Sequence, residues 1–181
     1  MPEALERGAV LISIAREAMG DPGEPRGDFT RGHEWLRAPG ASFVTLRAGG
    51  ELRGCIGSID ARRALGDDVA RNAHGAAYRD PRFPPLQPHE RASVAVEVSV
   101  LTPRVPMAVT SEDEALASLR PGEDGIFLQY REMSATFLPQ VWESLADPLD
   151  FLAELRRKAG LPVRFWHPDI RLSRYSVEKF L

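Results

Sequence analysis

The chain has a single cysteine, Cys55, among 181 residues, so no disulfide can form within it. That scarcity favours a reducing compartment, and a cytoplasmic location is the expectation. A lone thiol cannot build a zinc knuckle. The four histidines, His33, His74, His89 and His167, show no pair at metal-ligand spacing, so no metal or other cofactor is expected. Excess positive charge is also missing. The net charge is -3 and the pI about 5.8, which argues against bulk binding to nucleic acid. No apolar run is long enough to span a membrane. Glu3, Glu6, Arg7, Arg16 and Glu17 interrupt the N-terminal segment, unlike a signal peptide. There is no Gly-x-Ser-x-Gly elbow, Walker loop or dinucleotide glycine fingerprint. A phosphatase-type cysteine loop needs arginine six positions after the thiol, where Ala61 stands.

What is there suits a sizeable core: 43% of residues are apolar and 27% charged. Leu5, Ala9, Ile12 and Ala15, widened by Val10, Leu11 and Ile14, predict a helix ended by Gly20. Residues 20 to 41 read as a long surface loop. Residues 42 to 47 and 51 to 56 read as a hairpin around Ala48-Gly49-Gly50. Asp60 is predicted to cap a helix over residues 61 to 78, with a narrow stripe of Leu65, Val69, Ala73 and Ala77. Alternating Val94, Val96, Val98 and Val100 predict a strand over residues 92 to 101. Ser111 with Glu114 resembles a capping box. A second hairpin is expected over residues 125 to 130 and 135 to 138. Asp147-Pro148 opens a further helix that Gly160 closes. Residues 163 to 166 and 171 to 180 read as late strands. Helices in blocks and strands in hairpins predict an α+β fold, a largely antiparallel sheet with packed helices. The span 1 to 181 reads as one compact domain or two small subdomains sharing a core.

The chemistry concentrates at Leu52-Arg53-Gly54-Cys55-Ile56-Gly57. Side chains alternate along a strand, so Arg53 and Cys55 are expected on one face, roughly 6.5 to 7 Å apart. Leu52 and Ile56 are expected on the other, entering the core. A guanidinium beside the thiol favours thiolate and can hold an anionic group. Gly54 and Gly57 clear space for the thiol or admit a ligand against backbone. The other reading of Cys55 is a small buried hydrophobe with glycines for close backbone approach.

Four segments together resemble the AMMECR-one family, whose bacterial members are called AmmeMemoRadiSam system protein A. They are the cysteine motif, then Asn72-Ala73 through Ala77 with Asp80-Pro81-Arg82-Phe83, then Glu97-Val98-Ser99-Val100-Leu101. The fourth is Thr136-Phe137-Leu138-Pro139-Gln140-Val141 leading to Lys158-Ala159-Gly160-Leu161. The resemblance spans nearly the whole chain. It implies an α+β fold of two associated subdomains with a cleft lined by the cysteine motif. It also implies a genetic association with a Memo-like protein and a radical SAM protein, without an established activity.

Further candidates are weaker. Asp80 and Pro81 suit a helix terminator, and Arg82 is open between a salt bridge and a site role. Glu97, on the face of Ala95 and Ser99, is either solvent-facing or paired, and an acid or base if it faces the cleft. Pro139 and Gln140 offer a polar wall, although turn chemistry explains them equally well. His74 is the best-placed base for a Cys-His pair but lies off the apolar stripe, so exposure is expected. Arg156-Arg157-Lys158 suits a helix C-terminus. Two principal functions stand. One is an enzyme or enzyme component with Cys55 as nucleophile or carrier and Arg53 as its electrostatic partner. The alternative is a binding module for a small molecule or peptide, an adaptor for Memo-like and radical SAM partners. An RNA-linked adaptor is a third, disfavoured by the acidic pI.

Overall fold

The computed structural model describes residues 2–181, with side chains from Leu5 onward. The chain divides into two compact units, Met1–Leu101 with Glu178–Leu181, and Thr102–Val177. Each has its own sheet, its own helices and its own core, and the fold is α+β as expected.

The first unit holds α1 (Pro2–Ala18), β1 (Pro39–Ala48), β2 (Glu51–Gly57), β3 (Arg63–Ala64), α2 (Leu65–Tyr78) and β4 (Ala95–Leu101). It is completed by the chain's last strand, whose number follows those of the second unit: β9 (Val177–Phe180). The sheet order is β2-β1-β4-β9, with β3 pairing the start of β1. The β1–β2 hairpin forms as expected, because Gly49 and Gly50 both take positive φ, 59° and 89°. The core lies between one face of this sheet and the helices. Val44, Leu46, Val96 and Val98 point inward to meet Val69, Ala73, Ala76 and Ala77 of α2.

Helix α2 is buried nearly all round, not along a stripe alone. Its small residues let the sheet approach closely. Its start differs from expectation: β3 intervenes, and Ala64 rather than Asp60 stands at the N-cap, without a side-chain bond. The polar residues that face the sheet are satisfied internally. Buried Asp68 accepts from the Ser42 amide (2.8 Å) and hydroxyl (2.7 Å), from Ser58 (2.6 Å) and from Asn72 (2.9 Å). Arg63 adds an ion pair at 3.2 Å.

The α1 helix forms, but its buried face is Leu11, Ile14, Ala15 and Ala18, while Leu5 is exposed. The expected surface loop contributes Phe29 and Leu36 to the core. His74, expected outside, is buried; its Nε2 pairs with the Pro22 carbonyl at 3.1 Å and its ring packs on Tyr78.

The second unit holds β5 (Val105–Pro106), α3 (Glu112–Ser118), β6 (Gly125–Tyr130), β7 (Met133–Phe137), α4 (Pro148–Lys158) and β8 (Arg171–Tyr175). Its antiparallel sheet runs β5-β8-β6-β7. Asp147 caps α4 by accepting the Leu149 amide at 2.7 Å. Trp142 stacks on Phe151 with centroids 3.7 Å apart. One reading changes here. Residues 163 to 166 form no strand, and the late run splits into β8 and β9. Arg156 stands in the last turn of α4 as expected, and it is buried, paired with Glu112 at 2.8 Å and donating to the Phe165 carbonyl at 3.0 Å.

Candidate functional site

Cys55 sits on β2, at the open edge of the first sheet. The Ser58 amide donates to the Ser42 carbonyl at 2.9 Å, which fixes the phase of the ladder. Counting back, Ile56–Val44 is a hydrogen-bonded pair and Cys55–Thr45 a non-hydrogen-bonded one. Side chains approach most closely in such pairs. The Thr45 hydroxyl accordingly donates to Cys55 Sγ at 3.3 Å.

The same phase turns the Cys55 N–H and C=O outward, away from β1. Both are satisfied by side chains that follow α2. Asp80 Oδ2 accepts the Cys55 amide at 2.9 Å, and Arg82 Nη2 donates to the Cys55 carbonyl at 3.2 Å. Arg82 also grips Asp80 side-on, Nε to Oδ1 at 2.9 Å and Nη2 to Oδ2 at 2.7 Å. The pair thus takes the place of a neighbouring strand for one residue of an exposed edge. Arg82 holds the buried Asp80 carboxyl well below the usual carboxylate range, helped by the Cys55 and Arg82 amides against the cost of burial. Arg82 is itself raised, chiefly by Asp80, with smaller contributions from the charge and hydrogen bonding of Cys55. The cation that touches Cys55 is Arg82, through the backbone carbonyl.

Arg53 does not have that role. The register shifts between Leu46 and Arg47, so Leu46 faces Gly54 while Arg47 faces Leu52. Arg53 is the extra residue of a bulge, which breaks the expected alternation. Its Nε and Nη2 bind Glu90 at 2.9 and 3.0 Å, and its Nη1 donates to the Pro84 carbonyl at 3.0 Å. The bulge also corrects the assignment of Leu52. It lies opposite exposed Arg47 and is 37% exposed, whereas Ile56 packs against the core as expected.

Arg53, with help from the Gln87 amide, lowers the Glu90 carboxyl to about 2. A carboxyl depressed on folding contributes stability that is present above its unfolded pKa and lost as pH falls toward the folded one. Asp80 acts in the same direction. Urea melts between pH 6 and 3 should therefore show falling stability, with a shallower fall in Glu90→Gln. Parallel slopes for the two proteins would remove Glu90 from the acid response.

The remaining candidates separate. Gly54 opens toward α2, away from the thiol face: a Cβ there would lie 2.1 Å from the Ala76 carbonyl oxygen. Gly57 lies beneath the Phe43 ring, 2.2 Å from where its Cβ would be. Glu97 pairs with Thr45 in register, so Cys55, Thr45 and Glu97 form one cross-strand row. Of the two readings open for Glu97, the structure shows the paired one: its side chain is only 13% exposed and binds Lys179 at 3.2 Å. Gln140 belongs to the second unit, in the exposed part of a 3-10 turn, Pro139–Glu143. Sequence reasoning did not single out Thr45. Its only signal is a hydroxyl on the strand paired with the cysteine, and the bulge hides the register. Among the described residues no group of histidine, cysteine, aspartate and glutamate is placed to hold a metal. Nor is any helix long and apolar enough to cross a membrane.

A two-unit α+β protein with an edge-strand thiol framed by an Asp-Pro-Arg segment is thus defined. The chain belongs to the AMMECR1 family, whose signature matches residues 12–180. A Methanothermobacter thermautotrophicus protein is 36% identical over 99% of this chain and 96% of its own. A Methanopyrus kandleri protein is 34% identical over 97% of this chain and 88% of its own. The crystal structure of an uncharacterized protein from Pyrococcus horikoshii superposes with a TM-score of 0.80 at 31% identity, covering 96% of this chain and 90% of that one.

Proposed function

We propose that Cys55 is the reactive centre of an enzyme or enzyme component, acting as nucleophile or covalent carrier with Arg82 as electrostatic partner. One observation carries this reading. The sulfur of half-buried Cys55 receives the Thr45 hydroxyl, on a backbone pinned at its N–H by Asp80 and at its C=O by Arg82. A hydroxyl donor suits a sulfur that acts as nucleophile. Pinned backbone fixes the direction of attack.

The competing reading, a non-catalytic binding module, draws on a different observation. No histidine or carboxylate hydrogen-bonds the thiol among the described residues, and His74 is committed to Pro22. Membership in the AmmeMemoRadiSam system, and Memo-like or radical SAM partners, are proposals that rest on the motif resemblance. A cytoplasmic location rests on the single free cysteine.

The test is iodoacetamide labelling of the folded protein at neutral pH, followed by mass spectrometry. Native Cys55 should label, and Thr45→Val should slow the reaction about fivefold, the worth of one hydrogen bond of about 1 kcal/mol. Labelling that appears only in denaturant would refute the nucleophile and leave the binding module.

A further inference from the structure

The loop between α4 and β8 is braced from beneath by a buried charge. Arg156 is 1% exposed, and a guanidinium taken out of water is costly unless its bonds are used. Its Nη1 pairs with Glu112 at 2.8 Å and donates to the Phe165 carbonyl at 3.0 Å. The Phe165 amide donates to the Pro162 carbonyl at 2.9 Å, and the Ile170 amide to the His167 carbonyl at 2.9 Å. The segment fixed in this way carries three consecutive half-buried rings, Phe165, Trp166 and His167.

The Phe165 and His167 rings are parallel within 8°, with centroids 6.4 Å apart. Both lie against buried Tyr130 at the end of β6, with centroids at 5.1 and 5.3 Å. The Asp169 amide donates to His167 Nδ1 at 3.1 Å, which holds the ring and leaves its proton on Nε2. Two arginines border the rings. Arg131 carries its guanidinium 5.1 Å over the Tyr130 ring. It stands in the turn between β6 and β7 at φ of 53°, the left-handed region that glycine takes without strain. No other non-glycine among the described residues does so. Arg164 precedes Phe165 and is exposed, and neither arginine has an ion pair among the described residues. Glu132 and Asp169 lie in the same two segments, so the face is not a broad basic patch.

We propose that this face of the second unit stacks a nucleobase on the Phe165 and His167 rings, with its phosphate held by Arg131 and Arg164. Parallel rings take a flat ligand in one orientation, and base–aromatic stacking is strong for every base. Guanidinium matches phosphate in shape as well as in charge. The acidic balance of the chain argues against a long polyanion track, but one base with one phosphate needs none. The proposal does not depend on the reading of Cys55.

The base can come from a free nucleotide or from a single strand, and calorimetric titration of the full chain separates the two. The probes are adenosine monophosphate and, separately, an oligoadenylate of eight nucleotides. Heat with the monophosphate assigns a free nucleotide, and heat with the oligoadenylate alone assigns a strand. Ribose 5-phosphate and an abasic strand of the same length should give none. His167→Ala should weaken binding about tenfold, the size of one lost stacking contact. Arg131→Gly should weaken it about threefold, the size of an exposed ion pair. That variant should melt in urea no earlier than wild type, because it relieves the backbone, so its loss of binding is not a loss of fold. Silence of wild type with both probes would overturn the proposal, as would binding that neither variant weakens. A base-free control that binds as well as its base-bearing counterpart would also overturn it, since charge alone would then suffice.

Discussion

Gly54→Ala should lose about 3 kcal/mol or more of stability, beyond what overpacking of side chains alone exacts. The added methyl would stand 2.1 Å from the Ala76 carbonyl oxygen and 3.0 Å from its carbon. Both are backbone atoms of α2, so no rotamer change relieves the contact. Either β2 lifts from the helix or the helix shifts, and Ile56 loses its seat against Gly75 in both cases. Gly49→Ala is the control. It takes φ of 59° in the turn with nothing within 4 Å, so only backbone strain of about 1 kcal/mol is expected. Urea midpoints at neutral pH compare the two. Equal, mild losses would show that β2 and α2 are farther apart than described.

Asp68→Ala should cost about 3 to 5 kcal/mol, the range for removing one partner from a buried charged cluster. The carboxylate is fully buried and ties two sheet strands to the helix through Ser42, Ser58 and Asn72. Its loss strands the Ser42 amide, two hydroxyls and part of Arg63 at once, while the Asn72 amide keeps the Ser42 carbonyl. Asp68→Asn keeps one oxygen acceptor and most of the volume, so it should lose less than alanine. If Asp68→Ala melted within about 1 kcal/mol of wild type, the cluster would be ornamental, because one hydrogen bond alone is worth that much.

The sequence was most readable where local chemistry decides. The Gly49-Gly50 turn, the Asp147-Pro148 cap and the alternation through β4 needed no distant partner. The site was less readable, for one physical reason. A two-residue turn pairs Ala48 with Glu51, and that register would carry Thr45 to Gly54. One bulge at Arg53 moves Thr45 to Cys55 instead, turns Leu52 outward and takes the expected cation away from the thiol. No residue type announces a bulge here. Arg82 was within view as part of Asp80-Pro81-Arg82-Phe83, but its partner is a backbone carbonyl that only the edge geometry exposes. His74 misled for the opposite reason: it was expected to be exposed, yet it is buried and its ring nitrogen meets the Pro22 carbonyl.

The position of β9 bears on the order in which the protein is made. The first sheet takes its fourth strand from residues that follow the whole second unit, and Glu97 acquires Lys179 only then. The second unit is closed on itself at its ends, where the Thr102 amide donates to the Ser176 carbonyl at 2.9 Å and the Ser176 amide to the Thr102 hydroxyl at 2.9 Å. During vectorial synthesis the middle of the chain can therefore finish folding while the first sheet still shows β4 as a bare edge. The unit that carries the thiol is begun first and finished last, and any pause before residue 177 leaves an unpaired valine strand open to the wrong partner.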